Sequence, residues 1–142
     1  MSTFLGQFLH AIDDKGRVPL PAKFRNGDGS TGFVAVRGVG SCLYLYPEKA
    51  WRGVLERLAL LRRGTAESRR QMVAVTAQAA ELVLDKQGRL SLPQHLVEIA
   101  GLEHEALFVG AADTIQIWNP ARFAEVVQLD AIDYDRVAAA VL

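Results

Sequence analysis

Short blocks of hydrophobic residues, several of them alternating with polar ones, recur along the chain and are typical of half-buried β-strands. The strand-like blocks cover residues 7–12, 18–20, 33–37, 43–46, 106–109 and 114–118. Glycine, proline and aspartate separate many of these blocks, as expected for tight turns. The pattern predicts a domain of α+β class in which β-structure dominates.

Prolines mark the predicted helix starts, because the fixed φ of proline suits the first helical position. Pro21 and Pro93 each precede a predicted short helix, and Pro47 and Pro120 each precede a longer one. The predicted helical spans include residues 66–78, 94–100 and 132–142. We therefore expect helices to flank the strands.

The chain contains an internal repeat with a spacing of 72 residues. Residues 12–21 recur at 84–93, and both segments carry the motif Asp-x-x-Gly-Arg. The same spacing relates Gly38 to Gly110, Leu43 to Ile115, Leu45 to Ile117, Tyr46 to Trp118 and Trp51 to Phe123. So many matches at one spacing indicate a tandem duplication. We interpret the aromatic residues of the repeat, Trp51, Trp118 and Phe123, as core residues.

We expect a first copy at residues 4–51, a helical linker at 52–79, a second copy at 80–124 and a tail at 125–142. The β part of one copy, roughly 40 residues, rarely buries enough apolar surface to fold alone. Two interleaved copies would share one core. Their two turns would then lie on related faces of one body.

Charge is distributed unevenly, although the formal net charge is zero. Residues 1–72 hold 12 Lys and Arg against 6 Asp and Glu, and residues 73–142 hold 4 against 10. This asymmetry fits an acidic partner such as nucleic acid, or attraction between oppositely charged halves across a subunit contact. Charge alone leaves both interpretations open.

The two repeated turns place a guanidinium directly before a strand, at Arg17 and at Arg89. A guanidinium is always charged, and its planar fork suits phosphate oxygens or a guanine edge. We interpret each motif as a hairpin tip with an outward cation. The remaining candidate DNA-binding cations are Lys15, Lys86, Lys23 and Arg25, the last two on the short helix after Pro21. The alternative is that these cations are only solvated.

The acidic and glycine positions of each motif are interpreted as structural. Asp13 and Asp85 would repel phosphate, so we expect each to bond backbone N–H groups or to hold its arginine. Gly16 and Gly88 supply the positive φ that a tight turn requires. These four residues are predicted to shape the turns rather than to contact a partner.

Other functional classes find little support in the sequence. His10, His95 and His104 lack the spacing of a metal site, and Cys42 lies beside an apolar run that predicts burial. We expect no enzyme activity, cofactor or metal. No membrane helix and no secretion signal are indicated, so a cytoplasmic location is expected.

The motifs as a set resemble the MraZ family. The resemblance covers residues 4–125 and rests on Phe4-Leu5-Gly6 with His10, Asp13-x-Lys15-Gly16-Arg17, Pro21-Ala22-Lys23-Phe24-Arg25, Leu43-Tyr44-Leu45-Tyr46-Pro47 with Trp51, Asp85-x-Gln87-Gly88-Arg89 and Ile117-Trp118. Pro19 and Asn119 depart from the usual pattern, at positions outside the DNA contacts that the resemblance implies.

The resemblance implies two AbrB-like units that form a swapped-hairpin β-barrel, and a regulator of transcription that mostly represses. It further implies binding to direct promoter repeats of the division and cell-wall gene cluster, by ring-shaped homo-oligomers associated with the nucleoid. The family's DNA-contacting arginines fall on Arg17 and Arg89, and its first-repeat lysine falls on Lys15. An antitoxin-like protein-binding module of the same fold is the alternative.

Overall fold

The computed structural model describes residues 3–25, 31–127 and 131–142. The first part of the chain forms β1 (Gln7–Ala11), β2 (Arg17–Pro19), a 3-10 helix (Ala22–Phe24), β3 (Gly32–Arg37), β4 (Leu43–Pro47), α1 (Glu48–Arg62) and α2 (Ala66–Gln78). The remainder forms β5 (Ala80–Val83), β6 (Arg89–Ser91), α3 (Gln94–Ala100), β7 (Glu105–Gly110), β8 (Ile115–Trp118), α4 (Pro120–Val126) and α5 (Ala131–Val141).

The strands exchange between the two copies. Six of them form an antiparallel sheet in the order β1-β7-β8-β4-β3-β5, and β2 pairs with β6 in a separate two-stranded ribbon. Thus β1 of the first copy pairs with β7 of the second, and β5 of the second pairs with β3 of the first. The α+β class is confirmed, but more of the described residues lie in helices than in strands, so the expectation that β-structure dominates is wrong. The pairing gives a sheet and a ribbon, while the closed swapped-hairpin barrel stays a prediction.

The strand register shows that the two copies are related by an approximate twofold axis. In the ribbon, Val18 lies opposite Leu90, and in the large sheet Tyr44 lies opposite Gln116. Both pairs join positions that are equivalent in the 72-residue repeat, as required where a twofold axis passes between strands. The duplication predicted from the sequence is therefore present in the backbone pairing.

The strands β3 and β7 depart from the 72-residue spacing by one position. Leu9 of β1 lies opposite Leu107, whereas its equivalent Glu81 lies opposite Val34, which is 73 residues before Leu107. The β3–β4 turn closes between Gly38 N–H and the Cys42 carbonyl, and the β7–β8 turn closes one residue tighter.

The structural counterpart of Gly38 is therefore Ala111, and the predicted match with Gly110 is wrong. The N–H of Ala111 donates to the Thr114 carbonyl, as the N–H of Gly38 donates to that of Cys42. The β3–β4 turn is one residue longer than the β7–β8 turn. The segment before β3 is one residue shorter than the equivalent segment before β7, so the two differences cancel. The spacing returns to 72 in β4 and β8, and so the shift is hidden in a gap-free comparison.

The core lies where the large sheet faces the ribbon and α3. Val18 and Leu90 at the centre of the ribbon are fully buried, as are Leu45 and Phe108 of the sheet. Full burial of such a side chain contributes roughly 1.5–3 kcal/mol. Residues of both copies fill this core, and its packing holds the inner face of the ribbon in place.

The aromatic residues of the repeat are only partly in the core. Trp118 is buried at 2% exposure, whereas Trp51 and Phe123 are half-buried, so their interpretation as core residues is wrong. Trp51 packs against Tyr46, and Phe123 packs against Trp118, with ring centroids 5.7 and 5.6 Å apart. These pairs cover the edge of the core in equivalent places.

The helices begin at the predicted prolines. Pro21, Pro47 and Pro93 are N-cap residues, and Pro120 is the first residue of α4. The span of α2 agrees with the prediction, but α4 has only 7 residues against 15 in α1, so the predicted longer helix after Pro120 is wrong. None of the helices in the described ranges has the length and apolar character needed to cross a bilayer.

Candidate functional site

The first repeated turn is closed by its own backbone. The N–H of Gly16 donates to the Asp13 carbonyl at 3.1 Å, and the N–H of Asp13 donates to the Arg17 carbonyl at 3.0 Å. Gly16 has a φ of +79°, which an L side chain rarely adopts. The turn joins β1 in the large sheet to β2 in the ribbon, so the predicted hairpin tip is a tight turn between two sheets.

The Asp13 carboxylate organises this turn. Its Oδ1 accepts from the backbone N–H groups of Lys15 and Arg17 at 3.0 and 2.8 Å. Its Oδ2 accepts from Nε of the Arg17 side chain at 2.7 Å. One carboxylate therefore holds both the backbone of the turn and the guanidinium that follows it.

The second turn repeats the arrangement. Oδ1 of Asp85 accepts from the N–H groups of Gln87 and Arg89 at 2.8 and 2.9 Å, and Oδ2 accepts from Arg89 Nε at 2.9 Å. Gly88 has a φ of +77°. The structural roles predicted for Asp13, Asp85, Gly16 and Gly88 are consistent with this geometry.

These bonds favour the ionised carboxylates. The backbone N–H of Arg17 is the main cause that lowers the pKa of Asp13, and the backbone N–H of Arg89 does the same for Asp85. Burial raises each pKa by less than this backbone bond lowers it, and the hydrogen bond and charge of the neighbouring guanidinium lower each pKa further. Both turns therefore keep their negative charge at neutral pH.

The guanidiniums are held through one edge only. Arg17 and Arg89 bond their aspartates through Nε, and their side chains remain 38% and 31% exposed. Within the described residues, neither terminal Nη group of these two arginines forms a hydrogen bond. Each arginine is thus oriented while its terminal amines stay available to a partner.

The two arginines lie on the same face of the ribbon. Arg17 pairs with Ser91, and Arg89 pairs with Pro19, on either side of the buried Val18–Leu90 pair. Because side chains alternate along a strand, Arg17 and Arg89 lie on the face opposite to this pair. Such diagonal positions are separated by about 7–8 Å between Cα atoms. The structure therefore brings these two site residues together.

The contacts between the copies place the two turns close to the same axis. The N–H of Leu92 donates to the Gly16 carbonyl at 2.9 Å, and the N–H of Leu20 donates to the Gly88 carbonyl at 3.0 Å. Each turn therefore accepts a hydrogen bond from the residue that directly follows the ribbon strand of the other copy. This exchange makes the two turns parts of one rigid surface.

The three candidate lysines are exposed. Lys15 and Lys86 are exposed in their turns, at positions that differ by one residue in the repeat. Lys23 is exposed on the 3-10 helix, and Arg25 follows the end of that helix, whereas it was predicted to lie on it. Lys23 has no side-chain hydrogen bond to another described residue.

The place of Arg25 beside the second turn does not follow from its neighbours in the sequence. Its Nε donates to the Leu20 carbonyl at 3.3 Å, and its guanidinium lies over Gly88 of the other copy's turn. A Cβ added to Gly88 would lie 2.5 Å from Arg25 Cζ. The equivalent position in the repeat is Val97, whose side chain lies over Gly16. The difference between the two turns is visible in the sequence, because Arg25 and Val97 occupy equivalent positions of the 72-residue repeat.

Other reactive residues are not assembled into a site. Within the described residues, no group of three or more His, Cys, Asp or Glu is placed to hold a metal. Cys42 is fully buried, as predicted, and burial raises the pKa of its thiol to about 11. His95 contacts the Gln78 carbonyl at 3.1 Å.

Comparison with known proteins agrees with the resemblance in the motifs. A family model described as "MraZ protein, putative antitoxin-like" matches residues 3–73 and 75–140. A Limosilactobacillus fermentum protein named "Transcriptional regulator MraZ" is 40% identical over 136 residues, which cover 96% of this chain and 94% of that protein. A Thermomicrobium roseum protein of the same name is 40% identical over 135 residues, covering 95% and 94%. With matches over nearly its full length, the chain belongs to the MraZ family.

Proposed function

We propose that the chain is a DNA-binding regulator of transcription that acts mostly as a repressor. The observation that carries this proposal is the pair of oriented guanidiniums, Arg17 and Arg89, side by side on one exposed face. The name "Transcriptional regulator" of the relatives supports it. DNA is the polyanion that fits both observations.

The contacts are divided between affinity and specificity. Terminal amines of Arg17 and Arg89 bind phosphate oxygens or guanine edges, and Lys15, Lys86, Lys23 and Arg25 add phosphate contacts around them. Arginines already held by aspartates lose little side-chain freedom on binding, which favours affinity. Asp13 and Asp85 contribute by orientation, since their own charge disfavours phosphate.

The proposed targets are direct repeats upstream of the division and cell-wall gene cluster, bound in the cytoplasm at the nucleoid. One chain offers few cations, so several chains on neighbouring repeats would gain avidity. A ring-shaped homo-oligomer of two-unit chains, with AbrB-like barrels at residues 4–51 and 80–124, would array the turns along one rim. Occupied promoter DNA would exclude polymerase.

The test is a salt titration of binding to DNA from immediately upstream of the chain's own gene. Arg17→Ala is expected to lower the slope of log K against log salt by roughly 0.9 per contacting subunit. Arg52→Ala on α1, which packs against α2, β3 and β4, removes the same charge elsewhere and serves as control. Equal binding by parent and Arg17→Ala at every salt concentration would falsify the assignment.

An antitoxin-like protein-binding role is the second candidate. The exposed apolar residues of α5 favour it, namely Ile132, Tyr134, Val137 and Val141. Purification from the native cell distinguishes the two. A small protein that co-purifies in fixed ratio and is lost after Tyr134→Ser would support this role, and DNA binding unaffected by that substitution would separate it from the regulator.

A further inference from the structure

We infer that the two turns are unequal anion sites, and that Arg25 and Arg89 form a two-guanidinium clamp for one DNA phosphate at the second turn. This inference rests on the proposed function and adds a division of labour within it. In this arrangement the first copy supplies Arg25, and the second copy supplies Arg89. The clamp is therefore built across the junction of the two copies.

Arg25 contacts the residues around the second turn in two ways. Leu20 accepts a hydrogen bond from Arg25 Nε through its carbonyl, and it donates one to the Gly88 carbonyl through its N–H. The guanidinium therefore packs against the same turn to which Leu20 is hydrogen-bonded. Gly88 allows this approach, because any Cβ would lie 2.5 Å from Cζ and Nη2 of Arg25.

Arg25 and Arg89 are neighbours through Gly88. Arg89 directly follows Gly88, and its Nε is bound by Asp85. Both arginines use Nε for internal bonds, so each keeps a terminal edge. No carboxylate of the described residues forms an ion pair with Arg25. Asp85 is bound to Arg89 and not to Arg25, so the positive charge of Arg25 is left over, and an anion such as phosphate can neutralise it.

The first turn lacks this extra charge. Its glycine is covered by Val97, whose Cγ2 would lie 3.6 Å from a Cβ at Gly16. The first turn also carries Asp14 beside Asp13, so it holds two cations, Lys15 and Arg17, and two carboxylates.

At the second turn the balance is positive. The second turn holds Lys86, Arg89 and the single carboxylate of Asp85, and the guanidinium of Arg25 lies over its glycine. The two turns thus differ by two charges although their backbones are alike. A chain with one strong and one weak turn has a direction along DNA, which a symmetric body would lack.

The experiment measures salt-dependent binding of the full-length chain to duplex DNA from upstream of its own gene. Arg25→Ala is expected to weaken binding and to lower the log K–log salt slope by less than the roughly 0.9 per contacting subunit of a whole lost phosphate contact, because Arg89 still contacts that phosphate. Arg25→Lys keeps the charge but loses the Nε bond to Leu20, and it should keep the slope while weakening binding. A purely structural Arg25 would make Lys and Ala behave alike.

A double-mutant cycle locates the clamp. Arg25→Ala and Arg89→Ala act on one phosphate, so their combined loss in affinity should fall clearly short of the product of the single losses. Arg25→Ala with Arg17→Ala should multiply, because those residues serve different turns. Thermal unfolding of each variant identifies losses that come from misfolding.

The outcomes separate the clamp from the regulator proposal. If the parent binds DNA and Arg17→Ala weakens it, while Arg25→Ala matches the Arg52→Ala control, the clamp is overturned and the regulator stands. If the Arg25 and Arg17 losses are coupled as strongly as those of Arg25 and Arg89, the placement at the second turn is wrong. If the parent does not bind this DNA, both proposals fail.

Discussion

The two repeated turns have the same internal bonds and different surroundings. In each, one aspartate accepts from two backbone N–H groups and one arginine Nε, at 2.7–3.0 Å in the first turn and 2.8–2.9 Å in the second. The residue that covers the glycine, however, is Val97 in one case and Arg25 in the other. The two copies therefore share the geometry of the turn, while the residue packed over the glycine determines the positive charge beside it.

Substitution of the two turn glycines should have the largest effect on stability. Gly16→Ala should destabilise the fold by about 2–4 kcal/mol, because positive φ is strained and the new Cβ would meet the backbone carbonyl oxygen of Leu92 at 2.5 Å. Gly88→Ala should cost only about 1–2 kcal/mol, since the flexible side chain of Arg25 can move aside. Urea unfolding of both variants measures the difference.

Gly53→Ala provides the matched control for these substitutions. Gly53 lies within α1, where the nearest atom to an added Cβ is Arg57 Nη1 at 3.6 Å, so alanine should stabilise by up to about 1 kcal/mol. A Gly88→Ala variant as unstable as Gly16→Ala would mean that Arg25 is held as rigidly as backbone.

Removal of the aspartates should weaken DNA binding even though it removes negative charge. In Asp13→Ala the turn loses three hydrogen bonds and Arg17 loses its orientation, so we expect about threefold to tenfold weaker binding. Asp85→Ala should have a larger effect than Asp13→Ala, because Arg89 would also be repelled by Arg25. Titration at fixed salt gives the ranking.

Asp14→Ala is the control for the aspartates. Asp14 is exposed and belongs to the same turn, and its removal should strengthen binding slightly. Weaker binding by Asp14→Ala, or stronger binding by Asp13→Ala, would contradict the orienting role of Asp13.

Acid should destabilise both turns, and we expect this effect to be smaller than those of the substitutions. Bonds to backbone N–H groups lower the pKa of Asp13 and Asp85 in the folded chain, so the unfolded chain binds more protons as pH falls through this range. The resulting stability is complete above the unfolded aspartate pKa of about 3.9, and it is lost as pH falls through the lower folded values.

Carboxyl carbon shifts of the two residues, followed by NMR from pH 6 to pH 2, measure this effect. Both midpoints should lie below the unfolded aspartate pKa of about 3.9. An Asp13 midpoint at the unfolded aspartate pKa of about 3.9 would show that the backbone bonds of the turn do not persist in solution.

Local chemistry made much of the fold predictable. The turns at Asp13 and Asp85, the end of α3 at Gly101 and the span of α2 follow from residue types that act over a few neighbours. The duplication was visible because both copies keep those types. The aspartate–arginine bonds follow from the same logic, since the paired residues are four positions apart.

Long-range pairing was not predictable in the same way. Alternation marks β1 and β3 as strands but does not say that β1 pairs with β7 of the other copy, since many strands offer a similar apolar face. The one-residue shift at Gly38 was hidden because two length changes compensate. The contact of Arg25 with Gly88 depends on both the strand exchange and the absence of a side chain, and neither is local.

The covalent link through α1 and α2 has a consequence for how this protein can change over time. In an assembly of two identical single-copy chains, one gene would encode both tips, and every substitution would appear twice. Here each tip has its own codons, so Arg25 and Val97 could become different while the shared ribbon stayed intact. Fusion of the copies thus permits two unlike ends on a body that is otherwise nearly symmetric.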